Sequence, residues 1–393
     1  HVKAISNLGR ANDGSYYETV NYAVAESHEP GSTFKLVDLI ALLDDNKVDT
    51  SQVYDSRGGE ITYYGRKVRD SHKGGYGKIS LARGFEVSSN TVLVQAVYEN
   101  YKNNPKEFVD RIDRMGLNKP LGLPFQGEGK PFIPQPGEKG WSGLALPWMA
   151  YGYGVSVTPL QTLALYNAIA NDGEMVKPIF VSEIKEWNKT IKKYNKQVIN
   201  PKICSQETVK KVKAVLENVV KKGTGSKLYS QDFSMAGKTG TAQVNYSRGK
   251  DEMYYASSFV GFFPSDKPKY SCIVVVHKPN TAKNNYYGAD VAGPVFKRIA
   301  QKIFTDAPST NEIKNLNKKI NKQEVAYSVY NDKINSEKKV LPNLKGMAGM
   351  DAIALLENLK IKVKIIGTGK VKKQSIQPGE ALENIKTITL ELS

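Results

Sequence analysis

The sequence predicts an α/β chain of the α+β kind, in which helices come first, strands gather late, and a small α/β module closes the chain. Three observations predict it. Apolar bands at helical spacing begin with Phe34, Leu36, Val37, Leu39, Ile40, Leu42 and Leu43 and recur as far as Lys222. Strand-like runs cluster between residues 233 and 278. Residues 306–338 are rich in Lys, Asn and Ser with few large hydrophobes, and apolar content returns at Val340.

Length and composition bound the rest. A chain of 393 residues with 40% hydrophobic content has room for one large domain and a small one, or for two medium ones. No apolar run approaches the ~20 residues that span a bilayer, and no secretory signal is visible. Val2 to Leu8 reads as a strand already under way, so upstream residues, including any anchor, are expected to precede His1. The net charge of +17 is spread along the chain rather than gathered in one stripe between aromatics. It reads as solvated lysine-rich faces ahead of attraction to an anionic surface such as phospholipid headgroups or an acidic cell-wall polymer, with little sign of a nucleic-acid footprint. Cys204 and Cys272 match no metal spacing, and Cys272 stands in an apolar strand where a free thiol acts as a small hydrophobe, a reading favoured over a disulfide between the two, which an exported protein would permit. His1, His28, His72 and His277 offer neither a metal spacing nor a Ser-His-Asp order.

Taken in order, residues 2–8 read as a strand turned by Asn12-Asp13-Gly14, and residues 44–77 as short strands and loops. A helix is expected to begin near Lys78 (Ile79, Leu81, Ala82, Phe85, Val87) and, after the polar notch Ser88-Ser89-Asn90, a second one carries Val92, Leu93, Val94, Ala96 and Val97. Residues 105–117 read as a helix closed by Gly116, and the proline-rich stretch to about 147 as loop. Thr158 caps a helix whose first residue is Pro159. Residues 174–201 suggest one strand pair, Gln206 to Lys222 an amphipathic helix, and Phe233 to Gln243, Ala256 to Pro264 and Ser271 to Lys278 three strands. A last helix opens at Ala292 and runs to about Phe304. The end of the chain reads as a helix (Ala352 to Leu359), a strand (Ile361 to Ile365), a turn (Gln374 to Gly379) and a strand (Ile385 to Leu392).

The chemistry centres on Glu29-Pro30-Gly31-Ser32-Thr33-Phe34-Lys35. Pro30 and Gly31 break the chain and the apolar band follows, which puts Ser32 at a helix start. Free backbone N–H groups and the positive end of the helix dipole favour developing negative charge there. Lys35 lies one turn later on the same face, where it can bond the hydroxyl and, once desolvated, act as its base. Alone, such a quartet is weak, because most are a cap plus a surface lysine. Ser88-Ser89-Asn90 and then Lys238-Thr239-Gly240-Thr241 complete an ordered triplet. By itself the serine-serine-asparagine notch reads as an ordinary helix cap.

Serine-x-x-lysine, serine-x-asparagine and lysine-threonine-glycine, in that order, resemble the penicillin-recognising serine transferases and hydrolases. Asn21-Tyr22-Ala23-Val24 followed by Glu29 to Lys35 is similar to the monofunctional, class B penicillin-binding proteins. Pro342-Asn343-Leu344-Lys345-Gly346-Met347 and Gln374-Ser375-Ile376-Gln377-Pro378-Gly379 resemble a PASTA domain. The resemblance implies a penicillin-binding transpeptidase fold: an antiparallel sheet flanked by helices, with two strands beside the lysine-threonine-glycine strand, plus a mostly helical lobe and a cleft between. The domains expected are 1–305, a linker at 306–338 and a PASTA module at 339–393.

The resemblance also implies roles. Ser32 is the nucleophile on a terminal D-Ala-D-Ala bond and Lys35 the base. Asn90 holds the substrate amide, and Ser88 passes a proton to the leaving amine. Lys238 supplies a fixed positive charge, Thr239 and Thr241 bond the substrate carboxylate, and Gly240 leaves room for the acyl group. The backbone N–H groups of Ser32 and Thr241 form the oxyanion hole. No cofactor and no metal is implied. The partners implied are peptidoglycan stem peptides, β-lactam antibiotics and other division or wall-synthesis proteins, at the extracytoplasmic face of the cytoplasmic membrane, with an anchoring segment upstream. The GxSVTPLQ-like run ending at Gln161 carries no assigned chemistry.

Other readings have named discriminants. A phosphate-binding loop ending at Gly237-Lys238-Thr239 needs a glycine where Asp232 stands. A class A β-lactamase needs a Glu-x-x-Leu-Asn that is absent between Asn90 and Lys238. A β-lactam sensor or wall-binding scaffold, and a D,D-carboxypeptidase-type hydrolase, remain as alternatives to a transpeptidase.

Overall fold

The structure is a computed structural model that describes residues 8–13, 16–18, 20–124, 126–187, 189–246, 252–281, 285–306 and 340–393. It divides into two compact units, residues 1–308 and 309–393. The stretch expected as a linker lies, from residue 307 on, outside the described residues. Among the described residues no helix is long and apolar enough to cross a membrane.

The first unit opens with a hairpin of β1 (Leu8–Arg10) and β2 (Tyr16–Glu18). Most of the strand expected at 2–8 lies outside the described residues. A short helix α1 (Tyr22–Ala25) leads to a 3-10 turn at Gly31–Thr33 and then to α2 (Lys35–Asp44), in which every residue from Lys35 to Leu43 is buried. Such burial needs partners on all sides. They come from α4 (Asn90–Tyr101), α5 (Pro105–Arg114) and α8 (Gln206–Lys222).

Between α2 and α4, strand β3 (Val53–Asp55) pairs with β6 (Lys78–Ser80), and β4 (Glu60–Tyr63) with β5 (Arg66–Arg69). The helix expected from Lys78 therefore starts later, as α3 (Leu81–Glu86). Ser80 accepts a bond from the Arg83 N–H and caps it, and Ile79 pairs across to Tyr54 instead of joining the helix. Gly116, at φ 82°, closes α5. A short helix α6 (Ala145–Met149) follows the proline-rich stretch, its Leu146 and Met149 buried. Helix α7 (Pro159–Ala170) begins with a capping box: Thr158 Oγ1 accepts from Gln161 N, and Gln161 Oε1 accepts from Thr158 N. The single strand pair expected at 174–201 is two nested ones. Strand β7 (Met175–Val176) pairs with β10 (Val198–Asn200) around a hairpin of β8 (Glu183–Glu186) and β9 (Lys189–Lys193).

The main sheet is antiparallel, in the order β11 (Ala236–Val244), β12 (Tyr254–Phe263), β13 (Tyr270–His277). Both expected companions of the lysine-threonine-glycine strand exist. Only β12 pairs with β11 among the described residues, so β11 keeps one open edge. Alternation along β12 separates the two faces. Val260 and Phe262 join the core with α2, α4, α7 and α8, while Phe259 and Phe263 pack under α9 (Gly288–Asp306), with Phe259 and Phe296 ring centroids 4.7 Å apart. Helix α9 starts before Ala292 and carries Pro294 inside it. The proline removes one bond early in a long helix, and close seating on the sheet offsets it: a Cβ on Gly288 would meet the Gly240 and Ser258 carbonyl oxygens at 2.3 Å.

The second unit packs α10 (Gly349–Asn358) on a sheet in which β16 (Thr387–Leu392) runs parallel to β14 (Lys362–Ile366) and antiparallel to β15 (Val371–Gln374). Its own core contains Leu341, Leu344, Leu355, Leu356, Ile361, Val371, Ile388 and Leu390. The sequence reading missed β15, which has one apolar residue in four.

Candidate active site

Ser32 sits in the 3-10 turn before α2, not at the first turn of the α-helix itself; Lys35 is the first residue of α2. The turn is held from several sides. Gly31 adopts φ 55° and its N–H donates to the Gly152 carbonyl at 3.1 Å. Thr33 Oγ1 donates to the Pro30 carbonyl (2.9 Å), and the buried Tyr166 hydroxyl donates to the Thr33 carbonyl (2.9 Å). Gly152, at φ 85°, lies so close that a Cβ there would stand 2.0 Å from the Gly31 carbonyl oxygen.

The predicted residues Lys35, Ser88, Asn90 and Lys238 form one hydrogen-bonded cluster. Lys35 Nζ donates to the Ser88 carbonyl (2.8 Å), Ser88 Oγ (3.2 Å) and Asn90 Oδ1 (2.6 Å). Lys238 Nζ donates to Ser88 Oγ (2.8 Å) and to the Thr239 carbonyl (3.1 Å). The expected bond from Lys35 to Ser32 is not formed, because all three ammonium protons of Lys35 go elsewhere. Ser32 Oγ bonds to no described residue.

The notch between α3 and α4 divides its labour. Ser89 is the helix cap, accepting from Val92 N at 3.2 Å. Ser88 takes φ 59°, a left-handed conformation that turns both its carbonyl and its hydroxyl toward Lys35. Asn90 is anchored by its amide N–H to the Arg69 carbonyl (2.7 Å), which leaves Oδ1 for Lys35. Asp70, which the sequence reading passed over, clamps the notch. It accepts from Ser89 Oγ, Thr91 N and Thr91 Oγ1 at 2.9–3.1 Å. Asp38 was also missed: it is fully buried one turn after Lys35, and neither carboxyl oxygen has a partner among the described residues. No sequence signal marks either aspartate, since each acts through chain brought in from elsewhere or through burial alone.

Electrostatics follow from the burial. Lys35 is wholly buried, and desolvation brings its ammonium down to about 8, with Asp70 and Asp38 opposing the shift. Lys238 is pushed well below the ordinary lysine range by burial and then by repulsion from Lys35. That runs against the fixed positive charge expected of Lys238: two buried ammonium groups bridged by one hydroxyl do not both keep their protons easily. Burial pushes the Asp38 carboxyl well up, against the pull of Lys35.

The open edge of β11 runs beside the Ser32 turn. A Cβ on Gly240 would meet Thr33 Cγ2 at 2.9 Å and Ser258 Oγ at 2.3 Å, so only glycine fits there. Gln243 N donates off this edge to the Tyr153 hydroxyl (3.1 Å). Alternate N–H groups of a strand point the same way, so the Thr241 N–H, two residues earlier, faces the same edge. The threonine hydroxyls are engaged: Thr239 with Thr224 Oγ1 (2.8 Å), and Thr241 accepting from Gly288 N (3.0 Å). A separate polar cavity of about 670 Å³ lies at the far end of α2, but its Asp44, Arg111, Asp49 and Lys211 are already paired within the protein. Among the described residues no group of three or more His, Cys, Asp or Glu is placed to hold a metal ion.

Residues 3–301 match the family described as "Penicillin binding protein transpeptidase domain", and residues 339–393 match the PASTA domain. The chain belongs to the penicillin-binding protein transpeptidase family. "Stage V sporulation protein D" of Bacillus subtilis (strain 168) is 31% identical over 391 residues, which cover 97% of this chain and 56% of that protein. "Peptidoglycan D,D-transpeptidase FtsI" of Escherichia coli (strain K12) is 27% identical over 280 residues, covering 71% and 44%. This chain thus spans about half the length of those relatives. Among solved structures, the "Apo structure of TP domain from Burkholderia pseudomallei penicillin-binding protein 3" is similar with a TM-score of 0.62 at 27% identity, covering 73% of this chain and 81% of that one. The fold of the transpeptidase unit, an antiparallel sheet flanked by helices, is that of these neighbours.

Proposed function

We infer that this chain is a peptidoglycan D,D-transpeptidase acting outside the cytoplasmic membrane, on stem peptides ending in D-Ala-D-Ala, and that β-lactams acylate it. The observation that carries the reading is the Lys35–Ser88–Lys238 relay beside Ser32 at the open edge of β11. When Lys35 loses a proton, one of its three donor bonds is released and its lone pair can take the Ser32 proton. Ser32 Oγ then attacks the penultimate carbonyl carbon. The Ser32 and Thr241 N–H groups receive the oxyanion, each worth roughly 3 kcal/mol in the transition state. Ser88 Oγ already accepts from both lysines, so its own O–H is free to donate to the departing D-Ala amine as the C–N bond breaks. Lys35 returns a proton to Ser88. An acceptor amine then attacks the Ser32 ester, forming the cross-link and restoring the hydroxyl. Burial and Lys35 disfavour the charge on Lys238 in the empty site, and a substrate carboxylate beside it favours that charge.

Incubation with a D-Ala-D-Ala pentapeptide and an amine acceptor should release D-Ala and give the cross-linked product. Shortened tetrapeptide alone would favour the carboxypeptidase reading, and a penicillin adduct with no peptide turnover the sensor reading.

The domain limits proposed are 1–305 for the catalytic unit, 306–338 for a linker and 339–393 for an appended module serving wall localisation or contacts with other wall-synthesis proteins. The separate core of the second unit supports this. A chain ending near Asp306 should fold and react with penicillin at close to the full-length rate. Insolubility, or loss of most of the reaction, would show that the module is structurally required.

A further inference from the structure

From Leu36 to Leu43, helix α2 is apolar and buried except at one position. Asp38 stands there with none of its surface exposed, and neither carboxyl oxygen has a hydrogen-bond partner among the described residues. A carboxyl buried in this way costs stability, and an apolar side chain would pack better. Packing therefore does not account for it. Its neighbour does: Lys35, also wholly buried, lies three residues earlier on the same face of the helix.

The other charged groups packed around α2 are engaged elsewhere. On α4, the Tyr101 hydroxyl donates to Asp45, and Glu99 faces Tyr54 and Tyr63. On α5, Arg111 pairs with Asp44 and Asp45, and Glu107 with Lys47. On α8, Lys211 pairs with Asp49. These pairs lie toward the far end of α2, about 9 Å or more along the helix from Asp38. On the other side of Lys35, Lys238 of β11 meets it across Ser88 Oγ, and Asp70 acts on it from the notch. Of the two carboxyls that act on Lys35, Asp70 already accepts from Ser89 and Thr91, whereas Asp38 has no donor of its own among the described residues. Burial pushes the Asp38 carboxyl up, and Lys35 pulls it down. Its place in the first turn of α2 also favours its charge. The two buried charges thus support each other.

We propose that Asp38 is a positioning residue of the reaction: its carboxylate, one helix turn from Lys35, stabilises the ammonium that Lys35 becomes on taking the Ser32 proton, and so sets the strength of the base. The proposal rests on Lys35 being the base of the acylation step. No proton passes to Asp38 in that step; the Ser32 O–H bond breaks and the Lys35 N–H bond forms. The part is that of the aspartate behind the histidine of a Ser-His-Asp triad, played through charge across a helix turn instead of through a hydrogen bond.

The test measures acylation of the full chain by benzylpenicillin as a function of pH, in the unaltered protein, Asp38→Asn and Asp38→Leu. Asparagine keeps the shape and removes the charge; leucine suits the apolar surroundings, so the answer does not depend on one variant folding. Lys35 places the inflection of the unaltered protein near pH 8. In both variants it should move down by about one pH unit or more, the effect of removing an opposite charge close by. The plateau at high pH should fall by about 3-fold, because a weaker base accepts the proton less readily. A merely structural role would change the melting temperature or the rate without moving the inflection. An inflection that stays in place in either folded variant overturns the proposal. If the unaltered protein forms a penicillin adduct and its inflection is lost in Lys35→Arg, that result removes only the role of Asp38. Absence of the adduct, or an inflection that survives Lys35→Arg, removes the reading of Lys35 as base and the proposal with it.

Discussion

Lys35→Arg should lower the rate of acylation by benzylpenicillin at least ~100-fold, the low end for loss of a general base. Arginine keeps the positive charge and can still donate to Ser88 and Asn90, but it does not give up its proton. The unaltered protein should show the reason in its pH profile. Burial holds the Lys35 pKa down to about 8. Below that pH the side chain is an ammonium ion and cannot accept the Ser32 proton; above it the free amine dominates. The acylation rate should therefore rise with pH through an inflection near 8, and that inflection should vanish in the arginine variant. Stopped-flow acylation across pH 6–10 (roughly one unit either side of the span over which Lys35 titrates) measures both. Near-normal acylation by Lys35→Arg would mean that charge, not proton transfer, is the role.

Gly152→Ala should be the most damaging of the small substitutions. A Cβ there falls 2.0 Å from the Gly31 carbonyl oxygen, an atom of the chain's own backbone that no rotamer change can move aside, and φ is 85°. The strain and the displaced Gly31–Gly152 bond together should cost about 3 kcal/mol or more, which lowers the melting temperature by roughly 5–10 °C. Acylation should fall with it, by about 100-fold for a shift of the Ser32 turn near 1 Å. Thermal melting with acylation kinetics at a temperature where the variant is folded separates the two effects. A variant that melts normally and acylates normally would show that the Ser32 turn is not held from this side.

The two predictions mark what the sequence could and could not say. That Ser32, Lys35, the Ser88–Asn90 notch and the Lys238 strand belong together was legible, because three short motifs in a fixed order are hard to meet by chance. Their wiring was not. Lys35 turns from Ser32 to Ser88 and Asn90 because Ser88 adopts φ 59°, a backbone choice that residue type does not announce for serine. The depressed Lys238 likewise depends on how deeply two lysines are buried on opposite sides of one hydroxyl, and Asp70 reaches the notch only because β5 returns beside α4. Long amphipathic helices such as α8 could be read to the residue, since Ser205 caps one end and Gly223 breaks the other. Ile79 could not, because its strand partner Tyr54 is remote in sequence. Helix α9 passes through Pro294 where local rules would start it, since packing on the sheet outweighs one missing bond.

The central claim is that Ser32 is an acylating nucleophile, and intact-mass spectrometry after exposure to benzylpenicillin tests it most directly. A single covalent adduct of one penicillin is predicted, mapping to the peptide that holds Ser32 and absent from Ser32→Ala. An unchanged mass, or an adduct that persists in Ser32→Ala, would contradict it.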